Sequence, residues 1–246
     1  MTRRTWEIRV GTSGWYYDHW KERFYPTDLS KNDWFVYYAR NFDTVEINNT
    51  YYHLPKEKSV RRWHDLAPEN FLYTVKANRF ITHVKKLTNA DEPLRNFLDA
   101  VEPLAEYLGP ILYQLPPSLH KDLPRLEKFI QILPPRILAI FEFRHNTWFT
   151  DDVFDLLDRS GAGFCIHDLG GCDVPRVITA NLIYLRFHDP PAKYRHKYPY
   201  SILQEWAQWA KEKRNKAPRL FAYFNNDYNA YAVENAAKLR ELLLTE

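Results

Sequence analysis

Glu142 and Arg144 stand two residues apart in ILAIFEFRHNTW (Ile137–Trp148), alternating with Phe141 and Phe143. In an extended strand this spacing turns both charges to one side and both rings to the other. A strand that starts apolar and β-branched and ends acidic, then basic, has the profile of an α/β active-site rim. It is equally the profile of an ion pair that closes a strand end. Against an apolar wall of Phe141, Phe143 and Trp148, Glu142 would have a raised pKa and act as general acid or base. Arg144 would pull that pKa down.

Six other predicted strands end in the same manner. Thr44–Asn48 carries Glu46 and Asn48, Phe71–Ala77 carries Lys76, and Ile111–Gln114 ends on Gln114. Gly163–His167 runs into His167 and Asp168, and Leu182–Phe187 contains Arg186 and meets His188. Leu220–Phe224 is followed by Asn225, Asn226 and Asp227. The strand bodies are apolar, so polar tips recurring around a barrel point to a site at its C-terminal face.

Several chemistries fit that ring. Glu46, Glu142, Asp168 and His188 are the donor types a divalent ion would take. Lys76, Arg144 and Arg186 offset the three carboxylates, whereas a metal site keeps an excess of negative charge. No metal or other cofactor is therefore expected, with a divalent ion as the alternative. The same three cations would suit a phosphate or carboxylate, Arg supplying bidentate contacts. Asn48, Gln114 and Asn225 would orient the ligand, and Arg186 and His188 would complete the rim. Trp15, Tyr51 and Trp148 could stack on a sugar or base, although packing over the barrel mouth is the commoner fate of such rings. Glu46 and Glu142, on strands two and five, are awkwardly far apart for a retaining glycosidase. Lys76, close to carboxylates, should stay charged. Ser13 in GTSGW lacks the frame of a nucleophile elbow and reads as a turn residue.

The elements that must position these residues follow the α/β pattern. Glu7–Gly11 is a first strand, and Ser30 can cap a helix to about Asn41, with Trp34, Phe35, Tyr38 and Phe42 at helical spacing. Helices are predicted over Glu57–Leu66, Leu94–Tyr107, Leu123–Leu133, Asp151–Ser160, Ser201–Lys213 and Tyr231–Leu244. Eight strands with mostly helical returns favour a TIM-type (β/α)8 parallel barrel, with an irregular connection after strand six. The chain's 246 residues suit one such domain, residues 1–246, and no repeat or linker divides it.

A hydrophobic share of 45% can build a large core, and a net charge of +3 is too mild to argue for nucleic acid alone. Two cysteines, Cys165 and Cys172, exclude a disulfide framework and a CxxC metal motif. No apolar run approaches membrane-spanning length and the N-terminus lacks a signal peptide's apolar core, so a cytoplasmic protein without membrane partners is expected. Among the basic stretches, Arg195–Lys197 lies on the rim between Tyr194 and Tyr198, the one patch suited to a nucleic-acid backbone.

The motifs GTSGWYY (Gly11–Tyr17), TVEINNTYY (Thr44–Tyr52), YTVKA (Tyr73–Ala77) and YQLPPS (Tyr113–Ser118) resemble the YecE-like family, domain of unknown function 72. So do FEFRHNTW (Phe141–Trp148), YLRFH (Tyr184–His188) and YFNND (Tyr223–Asp227). The resemblance covers nearly the whole chain in order. It implies a TIM-barrel-like fold and no established reaction. It also implies Glu46, Asn48, Lys76, Gln114, Glu142, Arg144, Trp148, Asp168, Arg186, His188 and Asn225 as site candidates. One departure is Asp189, followed by Pro190 and Pro191, where the family usually has Gly after the strand-seven His.

The leading expectation is a metal-independent barrel enzyme, of hydrolase or isomerase type, acting on a polar or anionic, phosphorylated or sugar-like small molecule. Glu142 is its acid/base candidate, with Glu46, Lys76 and Arg144 sharing the catalytic charge. A nucleic-acid-binding or metal-dependent nuclease-like barrel and a non-catalytic ligand-binding protein are the alternatives.

Overall fold

Strand parity decides where the core lies. Along β4 (Leu108–Gln114), β5 (Ala139–Glu142), β6 (Gly163–His167), β7 (Leu182–Phe187) and β8 (Arg219–Phe224), every second residue belongs to a large apolar shell under the helices. The alternate residues Leu112, Ile140, Cys165, Leu182, Tyr184, Phe221 and Tyr223 form a smaller cluster of their own. That cluster is the barrel interior, filled in layers by side chains from neighbouring strands. The computed structural model describes residues 6–188 and 196–245.

The remaining strands are β1 (Glu7–Thr12), β2 (Thr44–Ile47) and β3 (Leu72–Lys76). All eight pair in parallel in the order β1-β8-β7-β6-β5-β4-β3-β2, a nearly closed TIM-type (β/α)8 barrel. The helices between and after them are α1 (Trp34–Asn41), α2 (Asn49–Tyr52), α3 (Glu57–Leu66), α4 (Asp91–Val101) and α5 (Leu123–Gln131). They continue with α6 (Asp151–Arg159), α7 (Tyr200–Lys213) and α8 (Tyr231–Leu244). No helix joins β6 to β7, the irregular connection the sequence predicts. Ser30 opens the turn into α1 by accepting from the Asn32 N–H, and Trp34, Phe35, Tyr38 and Phe42 are buried as their spacing requires. The helix expected over Leu94–Tyr107 instead starts at Asp91 and gives way after Val101 to a 3-10 segment, Glu102–Tyr107. Pro103 withholds an amide there, and Ala105 turns to a φ of 47°. Among the described residues, no helix is long and apolar enough to cross a membrane.

The seam between β1 and β2 lacks a strand ladder and is closed by a side chain. The Tyr38 hydroxyl donates to the Thr44 carbonyl at 3.0 Å and accepts from the Thr12 amide at 3.0 Å. Gly11 permits this approach, because a Cβ there would sit 2.3 Å from the Thr44 oxygen. Tyr38→Phe strands a buried donor and a buried acceptor. It is expected to lower unfolding stability by about 1–2 kcal/mol, read as a drop in urea midpoint with an unchanged slope.

Candidate functional site: a cationic cavity over a buried ion-pair network

The site rests on a network inside the barrel. Arg186, pointing inward from β7, is 2% exposed and binds two buried carboxylates. Its Nε and Nη2 donate to Glu46 of β2 at 2.7–3.1 Å, and its Nη1 donates to Glu142 of β5 at 2.6 Å. Glu46 also accepts from the Ser13 hydroxyl and the Tyr184 hydroxyl, each at 2.8 Å. Arg144 closes on the other Glu142 oxygen. The two carboxylates expected to lie far apart are thus joined through one guanidinium, because short inward side chains from opposite walls converge on it. Ser13, read as a turn residue, is part of this network.

Over the network lies a cavity of about 440 Å³ at the C-terminal ends of the strands. Its lining includes Asn48, Tyr51, Lys76, Gln114, Arg144, Arg186, His188 and Asn225, together with Tyr17, Tyr52 and Leu169. Eight of the sequence candidates therefore meet in one place. Among the described residues, the charged side chains on this surface are Lys76, Arg144 and Arg186, while Glu46 and Glu142 lie beneath them. The expected charge balance exists in the layer as a whole, but the surface offered to a ligand is cationic.

Burial opposes the ionisation of Glu142, yet Arg144 and then Arg186 outweigh it and hold the carboxyl well below the usual range. Of the two opposed expectations for Glu142, the arginine prevails. A carboxylate stabilised in this way favours its charged form and anchors the two arginines. Lys76 behaves in the opposite sense. Burial and the nearby Arg186 lower its pKa to about 8, against the pull of Glu142 and Glu46. The lysine expected to stay charged can therefore lose its proton just above neutrality. Its ammonium lies 4.4 Å from the centre of the Tyr51 ring.

His188 is held neutral, burial lowering its pKa further than neighbouring carboxylates can raise it. Its Nε2 faces Arg186 Nη1 at 3.3 Å and Arg144 Nη2 at 3.4 Å. Guanidiniums only donate, so Nε2 accepts and a neutral ring carries its proton on Nδ1. Asn225, 3.1 Å from Nδ1, must then present its carbonyl oxygen there and turn its amide nitrogen away. Arg144 is 8% exposed, and its Nε and Nη1 have no hydrogen-bond partner among the described residues. The Asn48 Oδ1 is also buried and unpartnered.

Three candidates lie elsewhere. Trp148 is buried in the core, where it stacks on Phe143 at 4.7 Å and its indole donates to the Leu119 carbonyl at 2.7 Å. Its 3-10 turn, Asn146–Trp148, folds the ring back under the helices. Asp168 does not line the cavity. It accepts from the His188 amide at 2.6 Å and from the Tyr198 hydroxyl, and so pins the chain on either side of residues 189–195. Trp15 occupies an adjoining aromatic pocket of about 340 Å³, which shares Tyr17 and Asn48 with the cavity. Buried Asn226 and Asn235 anchor the far side of the same loop through the His196 carbonyl and Tyr198 backbone, a role no sequence spacing signals. Arg195 and Asp189 lie outside the described residues, and Lys197 pairs with Glu234.

Among the described residues, no three His, Cys, Asp or Glu side chains form a group that could hold a metal ion. Of the four donors considered for one, Glu46, Glu142 and His188 are engaged by arginine, and Asp168 accepts from the His188 amide and the Tyr198 hydroxyl.

Comparison with known proteins agrees with this architecture. The model of the family described as "Protein of unknown function DUF72" matches residues 9–246. UPF0759 protein YecE of Escherichia coli K12 is 33% identical over 143 residues, which span 58% of this chain and half of that protein's length. UPF0759 protein YunF of Bacillus subtilis is 23% identical over 96% of this chain and 94% of its own. A DUF72 family protein from Thermotoga maritima superposes with a TM-score of 0.88 at 28% identity, covering 97% of this chain and 100% of that one. With matching strands, motifs and solved relatives, the chain belongs to the DUF72 family.

Proposed function

We propose that this barrel binds a small anionic molecule, carrying a phosphate, carboxylate or similar group, in the cationic cavity and acts on it without a metal. The observation that carries the reading is the pair of buried Arg144 nitrogens without a partner among the described residues, on a surface whose described charged members are cations. A buried guanidinium N–H without an acceptor is costly, and an anionic oxygen placed there supplies the missing acceptors. Lys76 completes the charge and is the cavity cation able to exchange a proton near neutral pH. Asn48, Gln114 and Asn225 supply neutral hydrogen bonds that orient the rest of the ligand, and Tyr51 offers a ring face. A divalent ion would have to strip Glu46 and Glu142 from their arginines, which disfavours the metal-dependent alternative.

The test is thermal melting in sulfate, phosphate and phosphorylated sugars against chloride at matched ionic strength. Binding to the folded state alone raises the melting temperature with ligand concentration. Arg144→Met, which leaves Glu142 paired with Arg186, should weaken the effect by roughly tenfold or more in ligand concentration. A native protein that does not respond, or a variant that responds equally, rejects the reading. Product formation from a phosphorylated substrate separates an enzyme from a passive binder.

A further inference from the structure

The position of Lys76 among fixed cations suggests a more specific chemistry. It stands at the C-terminal end of β3 on the cavity surface. Among the described residues its ammonium makes no ion pair and no hydrogen bond, although Glu46 and Glu142 lie in the layer below. Their oxygens are already taken by Arg186 and Arg144. The groups that face Lys76 are these two arginines, these two glutamates, the Tyr51 ring and His83, whose own pKa is lowered to about 4 by burial and by Lys76. Guanidiniums do not release protons, so the crowding of three cations is relieved only at Lys76. An amine freed in this manner, in a partly dry cavity with cationic neighbours, is the setting in which lysines attack carbonyl carbons.

We propose that Lys76 is a Schiff-base lysine, and that the anion held by Arg144 is part of an aldehyde or ketone whose carbonyl meets the Lys76 Nζ. This rests on the anion-binding reading of the same cavity. In the step, the free amine adds to the carbonyl carbon and the C=O π pair moves to oxygen, giving a carbinolamine after proton transfer. The C–O bond then breaks, and the oxygen leaves as water when protonated. The balance is one ammonium and one carbonyl converted to one iminium and one water. The iminium has the same single positive charge as the ammonium it replaces, so the charge of the cavity is unchanged. A 2-oxo acid or a phosphorylated ketone combines both recognition elements in one small molecule.

Pyruvate and dihydroxyacetone phosphate are the probes, each incubated with native protein and sodium cyanoborohydride and followed by intact mass and peptide mapping. A single reduced adduct at Lys76 is expected with at least one of them. It should form faster as pH rises toward about 8. Excess sulfate should suppress it, Arg144→Met should slow it roughly tenfold or more, and Lys76→Met should abolish it. No adduct from either ketone, or labelling spread over surface lysines without preference for Lys76, overturns the proposal. Sulfate stabilisation measured on the same samples separates the two readings. Stabilisation without a Lys76 adduct rejects the Schiff base alone, and the absence of both rejects the anion site as well.

Discussion

Arg186→Leu is expected to destabilise the fold by about 3–5 kcal/mol, the range for removing one partner from a buried charge network. Arg186 is the ion-pair partner of Glu46 among the described residues, and Glu46 is fully buried. The Ser13 and Tyr184 hydroxyls would still donate to that carboxylate, but they carry no charge to balance it. Glu142 would keep Arg144 and suffer less. The signature is a reversal of sign in a double-mutant cycle. Glu46→Gln should destabilise the native protein, in which it breaks the arginine pair. In the Arg186→Leu background it should restore stability, because it removes the orphaned charge. Urea unfolding of the four proteins measures this directly, and simple additivity of the two substitutions would mean that the pair is not coupled.

Lys76→Met is expected to produce a more stable protein with an impaired site. The native lysine has a pKa of about 8 against an ordinary value of 10.5. Between these values the unfolded chain binds the extra proton, so native stability rises with pH across that window. Below about pH 8 the full penalty of holding the ammonium applies, up to about 3 kcal/mol at 1.36 kcal/mol per unit. The advantage of the methionine variant should therefore be greatest at pH 7 and shrink as pH approaches 10.5. Saturating sulfate should narrow it at pH 7, since the anion stabilises the native ammonium. A variant no more stable than the native protein at pH 7, or an advantage that grows with pH, would contradict the assignment. Stability given up to keep in a cavity a cation with no ion pair among the described residues is the trade expected of a functional group.

Much of this site was legible because a strand's two-residue period assigns faces without any structure. Glu46, Glu142 and Arg186 lie inside the barrel as their parity with apolar neighbours requires, and Phe141 and Phe143 pack outside it. Depth was not legible. Parity places Glu142 and Arg144 on one face but does not say that the carboxylate lies below the guanidinium, and that order makes the lining cationic. Pairing across the barrel was also hidden, since Glu46 and Arg186 are 140 residues apart. Loop aromatics were the least legible, because a ring beyond a strand end can turn either way. Tyr51, on the short α2, faces Lys76, whereas the 3-10 turn after β5 carries Trp148 into the core. Helical spacing predicts Tyr38 on a helix, but its seam contacts depend on a missing strand ladder that no local pattern predicts.

An anion site built on Arg144 and gated by the proton of Lys76 must bind sulfate in a way that depends on both groups. Titration calorimetry with sulfate, which stays fully ionised from pH 7 to 9.5, tests it most directly. The native protein should bind one sulfate, with affinity falling as pH passes about 8 and with net proton uptake near that pH. Arg144→Met should bind roughly tenfold or more weakly, and Lys76→Met should bind weakly at every pH without proton uptake. No binding to the native protein, or binding indifferent to pH and to both substitutions, would show that the cavity is not such a site.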